Sequence, residues 1–196
     1  MDHAVPFDEQ LAEGVRVGDP DALAALWRLF APALVRHLRT QVRDHHLAED
    51  LADETFLELV RACRSIKGGP LQIQGWLYRA AHRNLLDHRR QAARRWVEFR
   101  PEPPDRASGD RTPGEAVEDA DLAAHLDAAL DRLTPNQRAV VALRFADDLS
   151  AAQAADVLGM TEGGVRALQH RGLAALARML RSGAAPVDDR ATPLPI

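Results

Sequence analysis

Four residues near the end of the chain, Arg166, Ala167, His170 and Arg171, fall on one side when wound at about 100° per residue, with Ala174 beside them. Their types suit one chemistry. Arg and His offer donors to phosphates and base edges, and Ala keeps the surface low enough to approach a groove. A second set lies between Trp76 and Arg90. Tyr78, Arg79, His82, Arg83, Arg89 and Arg90 share one side of a helical pattern with Trp76 at its start. That set joins cations for phosphates to aromatic rings for stacking on unpaired bases. A third set has the opposite sign: Asp50, Asp53 and Glu54 gather on one face, within a stretch (44–58) of six acids and no Lys or Arg. Each set alone fits a plain solvated helix face. Together they describe two surfaces for a polyanion and one for a basic protein partner.

The elements that must carry these sets are helices. The 196-residue chain is rich in Ala, Leu and Arg and poor in Val/Ile runs, which predicts an all-α fold. Asp19-Pro20 is a good helix start. Leu23, Leu26, Trp27, Phe30, Leu34 and Leu38 continue at helical spacing to about Thr40, with a kink expected at Pro32. A second helix fits His46 to about Arg64, its apolar side formed by Leu47, Leu51, Thr55, Phe56, Leu59 and Cys63. Lys67-Gly68-Gly69-Pro70 reads as a loop, and a third helix is expected from about Gln74 to about Arg95.

Between Pro101 and Gly114 stand four Pro and two Gly with almost nothing to bury, so this stretch is expected to be a linker. The expected organisation is therefore two small helical domains, residues 1–95 and 115–182, joined by an acidic linker at 96–114 and followed by a disordered tail at 183–196. The second domain is well punctuated. Thr134-Pro135-Asn136-Gln137 and Ser150-Ala151-Ala152-Gln153 both read as capping boxes. Gly159-Met160 is a tight turn, and Thr161 caps the next helix. Two helices joined in this way form a helix-turn-helix, and Val165, Leu168, Gly172, Ala175 and Leu176 are the face that packs beneath it. The corner thus presents the Arg/His face to a DNA major groove.

Composition narrows the remaining classes. The net charge of −4 argues against a bulk nucleic-acid coat, yet residues 76–100 hold seven Arg against Asp87 and Glu98, a balance of +5. Cys63 is the single cysteine, so neither an intrachain disulfide nor a Cys-rich zinc site is expected. No signal peptide or bilayer-spanning run is seen, which points to a cytoplasmic protein with no membrane insertion. His45, His46, Glu49, Asp50 and Asp53 contain spacings that can ligate a metal, but such clusters are far more often surface charge. With no phosphate-binding Gly loop and no nucleophile elbow, no enzyme, metal, cofactor or small-molecule substrate is expected. A free-standing helix-turn-helix regulator explains residues 134–176 but leaves the other two sets unused.

The ordered set resembles the extracytoplasmic-function sigma factors of bacterial RNA polymerase. AEDLADETFLELVRA (48–62) resembles the family's polymerase-clamp-binding helix. GWLYRAAHRNLLDHRR (75–90) resembles its promoter-melting and −10-reading helix, and the stretch from Leu133 to Leu176 resembles its −35-reading domain. The resemblance implies a two-domain initiation factor whose partners are the polymerase core, through clamp and flap, and promoter DNA, with an anti-sigma factor as a candidate. Asp50, Asp53 and Glu54 would meet the clamp. Trp76, Tyr78, Arg79, His82, Arg83, Arg89 and Arg90 would engage the −10 element, and the loop at about 66–74 would capture a flipped base. Arg166, Ala167, His170 and Arg171 would read the −35 element. Acids from Glu102 to Asp119 would mimic RNA charge in the enzyme's RNA path. Asp53 and Gly164 depart from the Gln and Thr common at those places in the family.

Overall fold

The computed structural model describes residues 7–42, 44–99 and 125–183. Of the expected linker at 96–114, residues 96–99 continue a helix instead, and the rest lies outside these residues, as does the expected tail beyond Gly183. All regular elements among them are helical. In chain order they are α1 (Glu9–Val17), α2 (Pro20–Val42), α3 (His45–Ala62), a short 3-10 turn (Cys63–Ser65) and α4 (Pro70–Phe99). The second half comprises α5 (125–131), α6 (Pro135–Val141), a π turn (Ala142–Ala146), α7 (Ala151–Leu158) and α8 (Glu162–Gly183).

In the first half, α2, α3 and α4 pack around Leu26, Leu34, Leu38, Leu51, Leu59, Ile73, Leu77 and Leu85, all essentially sealed from solvent. Helix α2 runs unbroken through Pro32. One buried polar contact ties the bundle internally. Asn84 donates to the Thr55 hydroxyl (3.2 Å), which itself donates back to the Leu51 carbonyl (2.6 Å). Helix α1 precedes the helices that the apolar pattern predicts. Asp8 caps it by accepting from the Leu11 N–H at 2.9 Å, and Leu11, Ala12 and Val15 face the core. Its Arg16 reaches across to the Gly68 carbonyl at 2.6 Å and so holds the start of α4 in place.

Helix α4 is longer than its apolar pattern predicts, beginning at Pro70 and ending at Phe99. Gly69 is the cap: its carbonyl accepts from Gln72 and Ile73, and its N–H donates to Gln72 Oε1 at 2.9 Å. Pro70 then occupies the first helical position, where its missing donor costs nothing. The loop expected at 66–74 thus shrinks to the few residues before Pro70.

Both capping boxes of the second half form, with each cap side chain bonding the backbone three residues on and the Gln reaching back. Gly159 supplies the left-handed φ of 63° that ends α7, a conformation costly for residues with a side chain. Thr161 then accepts from the Gly164 N–H at 3.1 Å and opens α8. Beneath this pair, buried Arg138 donates to the carbonyls of Leu130 (2.9 Å), Asp131 (2.8 Å) and Leu133 (3.3 Å), placing a cation at the C-terminal end of α5.

The two halves touch. Helix α7 lies against α4, and the π turn and α6 lie against α2. Leu143, Leu149, Ala154, Ala155, Val157 and Val165 belong to the same apolar cluster as the first bundle. Ala129, Leu133, Val141 and Leu176 form a smaller one under α5, α6 and α8. Thr134→Ala and Ser150→Ala should each lower stability by about 1 kcal/mol, seen as a lower midpoint in thermal unfolding followed by circular dichroism. An unchanged midpoint in both would refute the capping role.

Candidate nucleic-acid interface

Helix α8 presents its expected face to solvent: Arg166, Ala167, His170 and Arg171 are all exposed. The opposite side fixes the helix's rotation. Val165 is fully buried and Leu176 nearly so, and a Cβ on Gly172 would stand 3.1 Å from the Val141 side chain. Small size at that position lets α8 seat directly on α6. Gln169 accepts from Arg144 Nε at 3.1 Å, and Arg144 also donates to the Leu149 carbonyl, so one guanidinium bridges the base of α8 to the start of α7. Arg166 pairs with Glu162 one turn earlier, and that hydrogen bond holds its guanidinium above the ordinary Arg range. Arg171 lies back on the Ala167 carbonyl (3.3 Å). Both side chains extend from one exposed face of a rigid helix with donors free to turn outward.

Helix α4 carries the second set in a more engaged state. Trp76 is half-buried against the core. Arg79 pairs with Asp156 of α7, and Arg83 pairs with Glu58 of α3. Arg89 donates to the Gln41 carbonyl at 2.8 Å, and burial pulls its pKa below the usual Arg value. Arg90 is exposed and turns onto Asp87 at 2.8 Å. Burial, then the neighbouring His37 and Arg89, lowers the His82 pKa and favours the neutral ring.

Tyr78 corrects the sequence expectation. The helical spacing groups it with the exposed Arg and aromatic residues, but it is 1% exposed and its ring meets His37 edge-on at 5.6 Å. The reason is geometric: Tyr78 follows Leu77 directly, at the margin of the apolar stripe, and α2 and the π turn together close over it. Burial and the facing Asp147 carboxylate raise its ionisation well above the ordinary tyrosine range, so it stays a neutral phenol.

On α3, Asp50, Asp53 and Glu54 are all exposed, as the pattern predicts. Asp50 and Asp53 border an open groove of about 550 Å³ between α2 and α3, lined also by Trp27, Val35, Arg36, Arg39 and Glu49. His45 and His46 each turn towards Glu49, at 3.3 and 3.6 Å. Among the described residues no three His, Cys, Asp or Glu side chains gather in a metal-sized group. Cys63 is buried and donates to the Val60 carbonyl. Sequence reasoning missed the acids that answer the arginines, Glu58, Asp147 and Asp156. Asp147 lies just ahead of a helix cap, where acids are commonplace, so nothing in the pattern marked it as buried.

Comparison with known proteins gives these surfaces a family. Residues 26–95 match Sigma-70 region 2 and residues 124–176 match Sigma-70 region 4. The chain is 33% identical to the ECF RNA polymerase sigma factor BldN of Streptomyces coelicolor, over 87% of this chain and 65% of that one. It is 34% identical to SigE of Mycolicibacterium smegmatis, over 87% of this chain and 68% of that one. With SigD of Mycobacterium tuberculosis the identity is 31%, over 85% and 80%. The chain belongs to the extracytoplasmic-function sigma factors of RNA polymerase. Its fold is similar to that of RpoE from Bartonella quintana, solved with the anti-sigma factor NepR (TM-score 0.67, 21% identity, 82% of this chain and 98% of that one). It is also similar to CnrH, solved with the cytosolic domain of CnrY (TM-score 0.64, 20% identity, 91% and 100%). No helix among the described residues is long and apolar enough to cross a membrane.

The His82 shift has a definite sign. Because folding disfavours its protonation, His82 adds no penalty above the unfolded midpoint near 6.5. Its contribution to stability falls as pH drops from there to the lower folded midpoint, and is level below that. A ring-proton titration by NMR should place His82 below 6.5; a midpoint at or above that value contradicts its burial.

Proposed function

We propose that this chain directs RNA polymerase to particular promoters, using three surfaces in turn. The acidic face of α3 (Asp50, Asp53, Glu54) binds a basic surface of the polymerase clamp. Helix α4 offers Trp76, Arg79 and Arg83, flanked by His82, Arg89 and Arg90, to the −10 element where strands part. Tyr78 supports that helix from within. Helix α8 reads the −35 duplex through Arg166, His170 and Arg171, with Ala167 allowing close approach, and the second half also meets the flap.

The observation that carries this reading is the pair of sigma modules in family order, with the outer face of α8 left open to solvent. In this account residues 1–95 and 115–182 are the two working domains, 96–114 is the connection between them and 183–196 a tail. The chain works in the cytoplasm without catalysis of its own and without a cofactor. An anti-sigma factor is a candidate partner, since RpoE was solved with one.

Asp50→Arg combined with Glu54→Arg should abolish retention on core polymerase while helicity survives, because exposed charges contribute little to folding. Undiminished retention in a pull-down would remove the clamp assignment.

The two DNA surfaces should separate in transcription assays. A bidentate Arg–guanine contact discriminates by about 1–3 kcal/mol, so Arg171→Ala should relax upstream base preference. Stacking contributes about 1–3 kcal/mol per base, so Trp76→Ala should leave closed-complex binding nearly intact and slow open-complex formation. Pre-melted template should rescue it. Permanganate footprinting beside gel shifts on matched and bubble templates reads both; normal melting by Trp76→Ala would sink the assignment of α4.

A further inference from the structure

Helix α1 precedes the stretch matched as Sigma-70 region 2 (26–95), and one of its side chains reaches far along the chain. Arg16 donates from Nη1 to the Gly68 carbonyl at 2.6 Å, across 52 positions of sequence. The rest of its guanidinium is held on α1 itself. Nη2 pairs with Glu13 one turn earlier and lies 3.5 Å from Glu9 Oε1 two turns earlier. The Glu9 carboxylate also lies against Gly69, in the space a side chain there would take. At the far end of α1, a Cβ on Gly18 would stand 3.6 Å from both Cys63 Sγ and Arg64 Nε. Helix α1 thus meets the segment between α3 and α4 at both of its ends.

That segment has little of its own to hold it. Ile66 is buried and donates to the Cys63 carbonyl at 3.3 Å, and Gly69 is fixed as the cap of α4. Between them Lys67 and Gly68 are exposed, and Gly68 takes a φ of 97°, in the left-handed region. Glycine loses more backbone freedom on ordering than any other residue and has no side chain to pack. Among the described residues the N–H groups of Lys67 and Gly68 have no protein acceptor, and Arg16 is the one side chain from another element that bonds this backbone. A single donor therefore sets the conformation of the exposed part.

The place of these residues gives that constraint a consequence. Trp76 follows Pro70 by less than two helical turns, about 9 Å along the axis of α4 at about 1.5 Å per residue. The Lys67 ammonium and two unbonded N–H donors at that end suit the base edges and phosphates of an unpaired strand. Donors discriminate between bases best when their directions are fixed beforehand, because a loose loop must lose its freedom at the moment of binding. Folding itself depends little on the bond. The Gly68 carbonyl is exposed, so water can take the place of the guanidinium. Helix α1 stays on the bundle through Leu11, Ala12 and Val15.

We propose that Arg16 is a positioning residue for −10 selectivity, reaching from α1 to the Gly68 carbonyl and fixing the 66–69 backbone in the conformation that meets unpaired promoter bases. This rests on the reading that α4 meets the promoter where strands part. Arg16 touches no DNA in this account; it acts through the loop.

The test pairs the full-length free chain with its holoenzyme. In the free chain, Arg16→Met should speed amide exchange at Ile66, Gly69 and Gln72 by about three- to tenfold, with helicity and the thermal midpoint nearly unchanged. In the holoenzyme, transcription from promoters varied base by base across −10 should show preference narrowed by a similar factor at one or two positions. Core retention and upstream preference should hold. Arg16→Lys, which keeps the charge and a donor, should recover most of the preference. Glu9→Gln with Glu13→Gln, which removes the carboxylates that aim Arg16, should act in the same direction and serves if Arg16→Met fails to fold. Exchange unmoved in every folded variant overturns the brace, and a loosened loop with unchanged base preference overturns the selectivity role. Uniform weakening on every promoter, with the salt slope reduced by about one, makes Arg16 a phosphate contact and overturns positioning. If the unsubstituted holoenzyme shows no −10 base preference at all, the reading of α4 fails, while amide exchange still judges the brace.

Discussion

Helix α4 is held by an apolar stripe, Ile73, Leu77, Ala81 and Leu85, pressed against α2 and α3. Each large side chain so buried contributes about 1.5–3 kcal/mol relative to exposure, and together they fix the rotation of the helix about its axis. The polar outcome follows from that rotation. A slip of one residue would turn the helix by about 100° and carry Arg79 away from Asp156 and Arg83 away from Glu58. The Asn84–Thr55 bond, buried and satisfied, penalises such a slip further, because a shifted register would leave both groups without a partner. The cationic surface of the first half is thus positioned by its hydrophobic side.

The second half reaches a comparable rigidity by different means. Its helices are short, and α6 and α7 have only 7 and 8 residues. Lengths of that order are marginal as isolated helices. They persist because both begin at reciprocal caps and because Arg138 and Arg144 spend their donors on backbone carbonyls at helix ends and turns. What emerges is a fixed platform for α8, whose Gly172 sits so close to Val141 that a Cβ there would require the Val141 side chain to give by a few tenths of an ångström. The exposed Arg/His face of α8 needs no internal contact to be oriented; orientation comes from underneath.

The parts legible in the sequence are those set by local chemistry. Both capping boxes, the turn at Gly159, the exposed face of α8 and the acidic face of α3 follow from a few neighbouring residues, and each is present. What escaped depends on partners distant along the chain. Helix α1 is short and weakly patterned, and it exists because Leu11, Ala12 and Val15 find a bundle to rest on. The start of α4 was hidden by Gly68 and Gly69, which read as a loop even though Gly69 is the helix cap. Tyr78 sits on the margin between the apolar and polar sides, where angle alone does not decide; the π turn of the other half decides it. Asp147 is the extreme case, a residue whose environment is made almost wholly by side chains more than sixty positions away.

The contacts that join the halves differ in how readily they can be exchanged. Arg79–Asp156 is partly open to solvent, and pairs of that kind contribute about 0–1 kcal/mol, so a phosphate can replace the carboxylate with little loss. The apolar share of α7 comes from Ala154, Ala155 and Val157, small side chains that each remove little area from water. The seam also takes in Leu143 and Leu149, fully buried in the same apolar cluster as the first bundle, beside a single buried carboxylate. Its apolar part supplies the attraction, and its charged part supplies the geometric selectivity, because the buried Asp147 is tolerated only where His37, Arg36 and Tyr78 surround it.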